Sequence, residues 1–337
     1  MKNRGKIALG ALISLVILCA GSSLGSTPIS PADTLGVIIY KIFHLSPGAG
    51  PDPKIIPIVW ELRFPRTLLA FMVGGALSVS GAVFQSVLKN QLASPYILGV
   101  SAGASLGAAL VILTGFTLPL LGGFTLPGAG FLAGLITVFF VIGFSSRLDG
   151  NFSNHTIILF GMVFSLFVNA LLTTLTALYR EELRNLLYWQ LGSFALKGWS
   201  YAGLMLPFLI LGLLGICRYT REMDILTFGE EEALSLGVNA PAARKKLLAA
   251  SAVLTGGAVA LSGAVGFVDL IAPHVARKIV GSNHTYVLPM SFITGGALLT
   301  VTDLIARTAV SPSELPVGAV TAIIGAPFFA WVYFKKR

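Results

Sequence analysis

Charge is what this sequence has least of. Only 11% of its 337 residues are Asp, Glu, Lys or Arg, against 55% hydrophobic, and the mean hydropathy is +0.85. Soluble domains carry about a quarter charged residues, so this chain could not cover a water-facing surface and belongs in a bilayer. Cysteine is also scarce. Cys19 and Cys217 both fall in apolar stretches, which excludes a disulfide framework, and Leu18 is too bulky to precede a lipoprotein cleavage site at Cys19. No G-x-x-x-x-G-K-[ST] loop is present to hold ATP phosphates. The four histidines, His44, His155, His274 and His284, show no metal-ligand spacing. No apolar span carries a central Asp or Glu to relay protons. Asp303 comes nearest, but it stands four residues before Arg307 and reads as half of a helix-surface ion pair. Paired carboxylates and a nucleophile constellation are missing as well, so the chain does not read as an enzyme. A transporter with neither an ion-coupling residue nor an ATP site must draw its energy from another chain.

What is present is apolar sequence in membrane-length runs. A spanning helix needs about 20 residues. Uncharged runs cover 7–32, 67–88, 90–146, 150–179, 198–217, 247–268, 279–302 and 315–334, and the run 90–146, long enough for two spans, breaks at the Gly- and Pro-rich 115–130. The opening MKNRGK and its apolar run read as an uncleaved first span rather than a signal peptide. With a weak segment around 270–281 included, the pattern predicts an all-α polytopic protein of ten transmembrane helices, in one domain over 1–337. The spans fall near 7–25, 67–88, 96–114, 126–146, 156–179, 200–217, 247–267, 270–281, 286–306 and 316–334.

With the N-terminus in the cytoplasm, most of the 23 Lys and Arg lie on the inner side, including Lys2, Arg244, Lys245, Lys246, Arg277, Lys278 and the tail Lys335, Lys336, Arg337. That bias is the positive-inside rule. It accounts for the net charge of +9 without nucleic acid, and it puts both termini inside.

One phrase occurs twice. Gly74–Val83 reads GGALSVSGAV and Gly256–Val265 reads GGAVALSGAV. The copies fall in spans 2 and 7, which cross the membrane in opposite directions. Ordered matches follow: Leu92 and Pro95 parallel Leu270 and Pro273, and Leu126-Pro127 parallels Leu288-Pro289. The reading is an inverted repeat, spans 2–5 against 7–10, an arrangement common in transporters. Gly74, Ser78 and Ala82 share a helical stripe, as do Gly256, Ala260 and Ala264, and Gly99, Gly103 and Gly107. Gly81 and Gly263 occupy matching places in the two copies. Such small-residue stripes predict close helix packing.

Between spans 6 and 7 lies RYTREMDILTFGEEEALSLGVNAPAARKK. Thr227 and Glu230 form a T-x-x-E capping box. Glu230, Glu231 and Glu232 suit a first turn, and Gly237 suits a left-handed end. The spacing predicts a cytoplasmic helix over 228–236 with Phe228, Ala233 and Leu236 on an apolar face. An ordinary loop helix would look similar, but the energy argument favours one that docks on a separate ATPase.

The segments RFPRTLLAFMVGGALSVSGAVFQ, NQLASPYILGVSAGASLG, GEEEALSLGV, LSGAVGFVDLIAPHVAR and ELPVGAVTAIIGAPFFAW together resemble the permease subunits of ABC importers for iron-siderophores, haem and cobalamin. The likeness covers nearly the whole chain. Gln91, where that family usually has Pro, and Asp269, where it usually has Gly, are its small departures. The resemblance implies a homodimer in the cytoplasmic (inner) membrane of a bacterium, two ATP-binding subunits below and one extracytoplasmic substrate-binding protein above. It calls for no cofactor or metal. It gives Phe228, Glu230, Glu231, Ala233, Leu236 and Gly237 an ATPase-coupling role. It gives the outward basic residues Arg63, Arg66 and Arg307 a role in docking the binding protein. Plain interfacial anchoring is the alternative for the first two and pairing with Asp303 for the third. The amphipathic stretch 180–197 resembles the family's short external helix, with Leu183, Leu186, Leu187 and Trp189 set to face membrane lipid. The cargo expected is a metal chelate, an iron-siderophore before haem or cobalamin. A secondary transporter with inverted repeats is the alternative reading.

Overall fold

In the computed structural model, residues 3–25, 27–44, 51–179 and 182–334 are described. Lys2 and the 335–337 tail, invoked in the charge argument, and Arg180, which opens the amphipathic stretch, lie outside them. Among the described residues the fold is helical without strands. Fifteen α-helices follow in order: α1 (Asn3–Ser23), α2 (Pro31–Phe43), α3 (Ile55–Pro57), α4 (Phe64–Val87), α5 (Val100–Thr114), α6 (Thr125–Leu148), α7 (Asn154–Leu178), α8 (Leu183–Gln190), α9 (Trp199–Cys217), α10 (Thr220–Phe228), α11 (Glu230–Ser235), α12 (Ala240–Ser262), α13 (Val268–Val280), α14 (His284–Thr308) and α15 (Val317–Phe334). Seven stretches are long and apolar enough to cross a membrane: α1, Ile55–Val87, Gly122–Leu148, α7, α9, α12 and α14. Val100–Thr114 and Val317–Trp331 are shorter apolar helices.

A helix overlies each predicted span, but α5, α13 and α15 are not among the seven of crossing length, and several limits move. The second begins earlier than expected: Ile55–Val87 runs unbroken for 33 residues. Between α3 and α4, Ile58–Arg63 is a π-helical stretch, the kind of widened ladder that accommodates Pro57 and Pro65, which lack an N–H. The third is split, with a 3-10 turn at Pro95–Leu98 before α5. The seventh starts at Ala240, capped by the Asn239 side chain, and stops at Ser262 rather than 267. The two copies of the repeated phrase therefore differ in shape. Gly74–Val83 is helical throughout, whereas Gly263, Ala264 and Val265 lie past the end of α12. Helix α2, which folds back on α1, was not foreseen.

Small residues set the core. Helix α4 is the central pillar, with 89% of its apolar window buried, against 22% for α7 and 17% for α1. A methyl group on Gly74 would collide with the Gly295 carbonyl, and one on Gly295 would collide with Ser78. So α4 and α14 touch backbone to backbone, the approach small residues permit. A Cβ on Gly81 would overlap the Asp269 carbonyl of α13. Gly103 and Gly107 lie on Thr137, Ala133 and Ala129 of α6. Gly99 precedes α5 with φ +79° and faces Ser165 and Thr137. Gly256 meets Phe131, while Gly263 lies under the Trp189 carbonyl.

Several polar groups inside the bundle are tied together. Asp269, on α13, is 1% exposed and accepts from the Ser94 hydroxyl. Gln85 of α4 reaches the Asp269 and Leu270 carbonyls at 3.4 and 3.5 Å and accepts from Arg277. The Tyr96 hydroxyl donates to the Val265 carbonyl at 2.8 Å. A buried carboxylate, set aside in the sequence as a minor departure, thus ties α13 to the turn before α5, while α4 holds the same residue through its backbone carbonyl.

Candidate functional site: an elbow at one end and a basic hollow at the other

At one end of the bundle the chain turns sharply between α10 and α11. Gly229 makes the turn at φ 154°, ψ 170°, a backbone region essentially reserved for glycine. Helix α11 then carries Glu230, Glu231 and Glu232 in its first turn, where the helix dipole favours anions. It ends in a Schellman motif: Val238 N–H donates to the Ala233 carbonyl at 2.8 Å and Gly237 N–H to the Leu234 carbonyl at 2.9 Å, with Gly237 at φ +77°. The predicted capping box does not form. Thr227 donates its hydroxyl to the Asp224 carbonyl within α10, Phe228 closes α10, and α11 starts at Glu230.

The elbow's faces also differ from expectation. Ala233 is fully buried against Leu226, Ala240 and Ala243, so it seats α11 on the bundle rather than meeting a partner. Phe228 and Leu234 stand out instead, at 76% and 74% exposure, with Leu236 and Glu231 beside them. Leu234 was not among the predicted contact residues.

Two polar links join the elbow to the bundle, and sequence reasoning missed both. Arg244 of α12 is buried; it donates to the Phe152 carbonyl at 3.1 Å and pairs with Glu230. Phe152 belongs to a turn shaped by Asp149, whose carboxylate is pulled down to about 2, first by hydrogen bonding to Ser153. In the second link, Asp224 of α10 accepts from the His284 backbone N–H at 3.0 Å and meets its Nδ1 at 2.5 Å, while Nε2 meets the Ser86 hydroxyl. His284 opens α14 and Ser86 ends α4, so one imidazole joins three helices. Arg244 had been counted only as one of a run of inner-side charges, and His284 only as a histidine without metal spacing.

The other end holds an open hollow of about 710 Å³, lined by Arg63, Arg66, Lys197 and Arg307 against Glu61 and Glu314. All three predicted docking arginines meet here, each already engaged. Arg63 is buried and donates to the Ser23 and Thr27 carbonyls at 2.6 Å, so it points inward rather than snorkelling. Arg66 grips Asp303 through Nε and Nη2, at 2.8–3.2 Å, and Glu314 at 2.8 and 3.0 Å. Arg307 donates to the Gly21 carbonyl and sits 3.8 Å from Asp303. The tight partner of Asp303 is therefore Arg66, not the residue four positions along its own helix. Lys197 donates to the Ser193 and Leu261 carbonyls. Burial, then the Arg66 charge, push its amine down to about 8, partly offset by Asp303. Nearby, α8 buries Leu186 against Ala109 and Leu172 instead of turning it to lipid, while Leu187 and Tyr188 are exposed.

Comparison with known proteins adds to this geometry. The model of the FecCD transport family matches residues 12–335. An uncharacterized ABC transporter permease protein, YvrB of Bacillus subtilis (strain 168), is 40% identical over 329 residues, covering 98% of this chain and 93% of the relative. The cobalamin import system permease protein BtuC of Halobacterium salinarum is 39% identical over 275 residues, 82% of this chain and 73% of the relative. The hemin transport system permease protein HmuU of Yersinia pestis is 38% identical over 286 residues, 83% and 84%. A metal-chelate type ABC transporter solved in an inward-facing conformation superposes with a TM-score of 0.85 at 29% identity, covering 98% of this chain and 99% of that one.

Proposed function

Because the chain belongs to the FecCD transport family, as a non-catalytic permease subunit of an ABC importer for metal chelates, haem or cobalamin, we propose that it crosses the cytoplasmic membrane ten times as an inverted repeat. In this reading both termini and the α10–α11 elbow face the cytoplasm. It works as a homodimer. The sparsely covered α7 and α9 leave apolar faces for the second copy and for lipid. Two separate ATPase subunits seat on Phe228, Glu231, Leu234 and Leu236. A substrate-binding protein seats over the hollow of Arg63, Arg66 and Arg307. The cargo is a metal chelate, an iron-siderophore first and then haem or cobalamin.

The observation that carries this reading is the placement of the elbow. Its exposed apolar residues sit at and beyond the junction of two short helices, α10 tied to α14 and α4 through Asp224 and His284, and α11 tied to α12 through Glu230 and Arg244. Helices α4 and α14 meet backbone to backbone at Gly74 and Gly295, and they also hold Arg66 and Asp303 at the far end. A push on the elbow therefore acts on the two helices that frame the hollow. Each link has a stated geometry, so the path rests on contacts rather than on proximity alone.

The test replaces Glu231 with Lys and Leu234 with Arg together. Both side chains are exposed, so insertion and folding are retained while ATPase association and uptake are lost. Normal ATP-driven uptake by the double variant would refute the coupling role. Uptake assays with a ferric siderophore, haemin and cobalamin in parallel then rank the cargo.

A further inference from the structure

Away from both sites, a groove runs between α1 and α14 and opens where α13 ends. It encloses about 460 Å³. Its floor is Met290, Ile293 and Ala297 of α14, and its wall is Leu9 and Ile13 of α1. Gly10 keeps the wall low: a Cβ there would meet Ile293 at 3.3 Å. At the deep end the Ser14 hydroxyl is buried without a hydrogen-bond partner among the described residues.

The groove has one charged mouth. Lys6 and Lys278 line it, and no acidic side chain does. The Lys6 ammonium donates to the Ile279 carbonyl, which leaves two of its three N–H groups free to turn outward. Lys278 sits 5.9 Å from the Trp331 ring. The carbonyls at the end of α13 would repel an anion, but Asn3 and Lys6 already cover those of Val280 and Ile279.

Size narrows the occupant. From Lys6 to Ser14 the groove follows α1 for about 12 Å at ~1.5 Å per residue. That length and volume admit a hydrocarbon tail lying along α1, and the two lysines at the mouth select a lipid with an anionic head group over an apolar partner helix.

We propose that this groove binds an anionic phospholipid, with one acyl chain along Leu9, Ile13 and Ile293 and its phosphate between Lys6 and Lys278. Basic pockets between membrane helices hold anionic head groups in this way. The lipid fills the gap between α1, among the least covered of the long helices, and α14, one of the two helices that carry the elbow's push.

Native mass spectrometry of the detergent-solubilised protein, titrated with phosphatidylglycerol or phosphatidylcholine, tests the site. Phosphatidylglycerol should bind preferentially. K6Q/K278Q should weaken it about 30-fold, since each lysine near a charged membrane surface contributes about fivefold, and should leave phosphatidylcholine unchanged. I13W, which fills the groove from its exposed rim, should weaken both lipids. Millimolar inorganic phosphate should not compete. K278Q alone keeps the Lys6 tie to α13 and supplies the charge test if the double variant misfolds. Equal affinity for the two lipids, a preference untouched by K278Q, or displacement by free phosphate would overturn the proposal. Disulfide formation between two copies carrying I13C would also overturn it, by making this face a subunit contact.

Discussion

Replacing Arg244 with Met removes the buried link under the elbow while keeping an unbranched side chain of similar reach. Two interactions go. The Arg244–Glu230 pair is half in water, since Glu230 is 51% exposed, so its loss costs about 0.5–1 kcal/mol, as for other partly solvated pairs. The bond to the Phe152 carbonyl is buried and charge-assisted, and its loss costs about 1.5–3 kcal/mol. The total, about 2–4 kcal/mol, corresponds to local opening that is roughly 30-fold or more frequent, at about 1.4 kcal/mol per tenfold. Glu230→Gln removes only the first term and should change opening by about two- to fivefold. Hydrogen exchange resolves the two variants by segment. Arg244→Met should speed exchange both in α11, at the bonded amides of Ala233, Leu236 and Val238, and in the 149–153 turn, where Asp149 holds the Asn151 and Ser153 amides. Glu230→Gln should affect α11 alone. Faster exchange in the turn without any change in α11, or equal effects of the two variants, would refute the idea that one arginine couples these segments.

Three further outcomes are expected. Gly81→Ala should lower the unfolding temperature by an overpacking cost of about 1–3 kcal/mol or more, because the new methyl overlaps the Asp269 backbone and neither helix can swing aside. Gly143→Ala, whose Cβ meets nothing within 4 Å, should have little effect, and equal melting of the two would contradict the packing account. Lys197 should react with amine-selective reagents with a midpoint near pH 8. Its folded value lies below the usual 10.5, so unfolding takes up a proton between about pH 8 and 10.5 and stability rises with pH across that window; a midpoint near 10.5 would show the amine to be freely solvated. Glu314→Gln makes the hollow more positive without disturbing the Arg66–Asp303 pair. It should strengthen binding-protein association at about 10 mM ionic strength and lose that effect at about 150 mM, where the Debye length falls from roughly 30 to 8 Å. No change at low salt would argue against docking there.

The sequence made the helices legible because lipid imposes a simple rule: backbone groups must pair within the segment, and charge must stay out. Limits were less legible where backbone chemistry overrides hydropathy. The π-helical stretch at 58–63 extends α4 toward the hollow, and Gly263 stops α12 inside an uncharged run. Gly237 was readable because the left-handed end of a helix has one common residue type. Ala233 was misassigned because a small residue on a short helix suits an interface and a seat equally well, and the deciding contacts come from Ala240 and Ala243. Long-range polar partners carried no local signal: Arg66 and Asp303 are 237 positions apart, and Ser86 and His284 are 198 apart. The arginines of the hollow were picked out by the family resemblance, yet what each one binds is fixed only by the fold.

The central claim is that the chain has no drive of its own and is worked through the elbow. Vesicles reconstituted with the chain, its ATPase and its binding protein, loaded with ATP and given a ferric siderophore, haemin or cobalamin outside, measure this directly. Uphill uptake of one cargo should require all three components and stop with the Glu231→Lys, Leu234→Arg variant. Uphill uptake by vesicles containing the chain alone would contradict it.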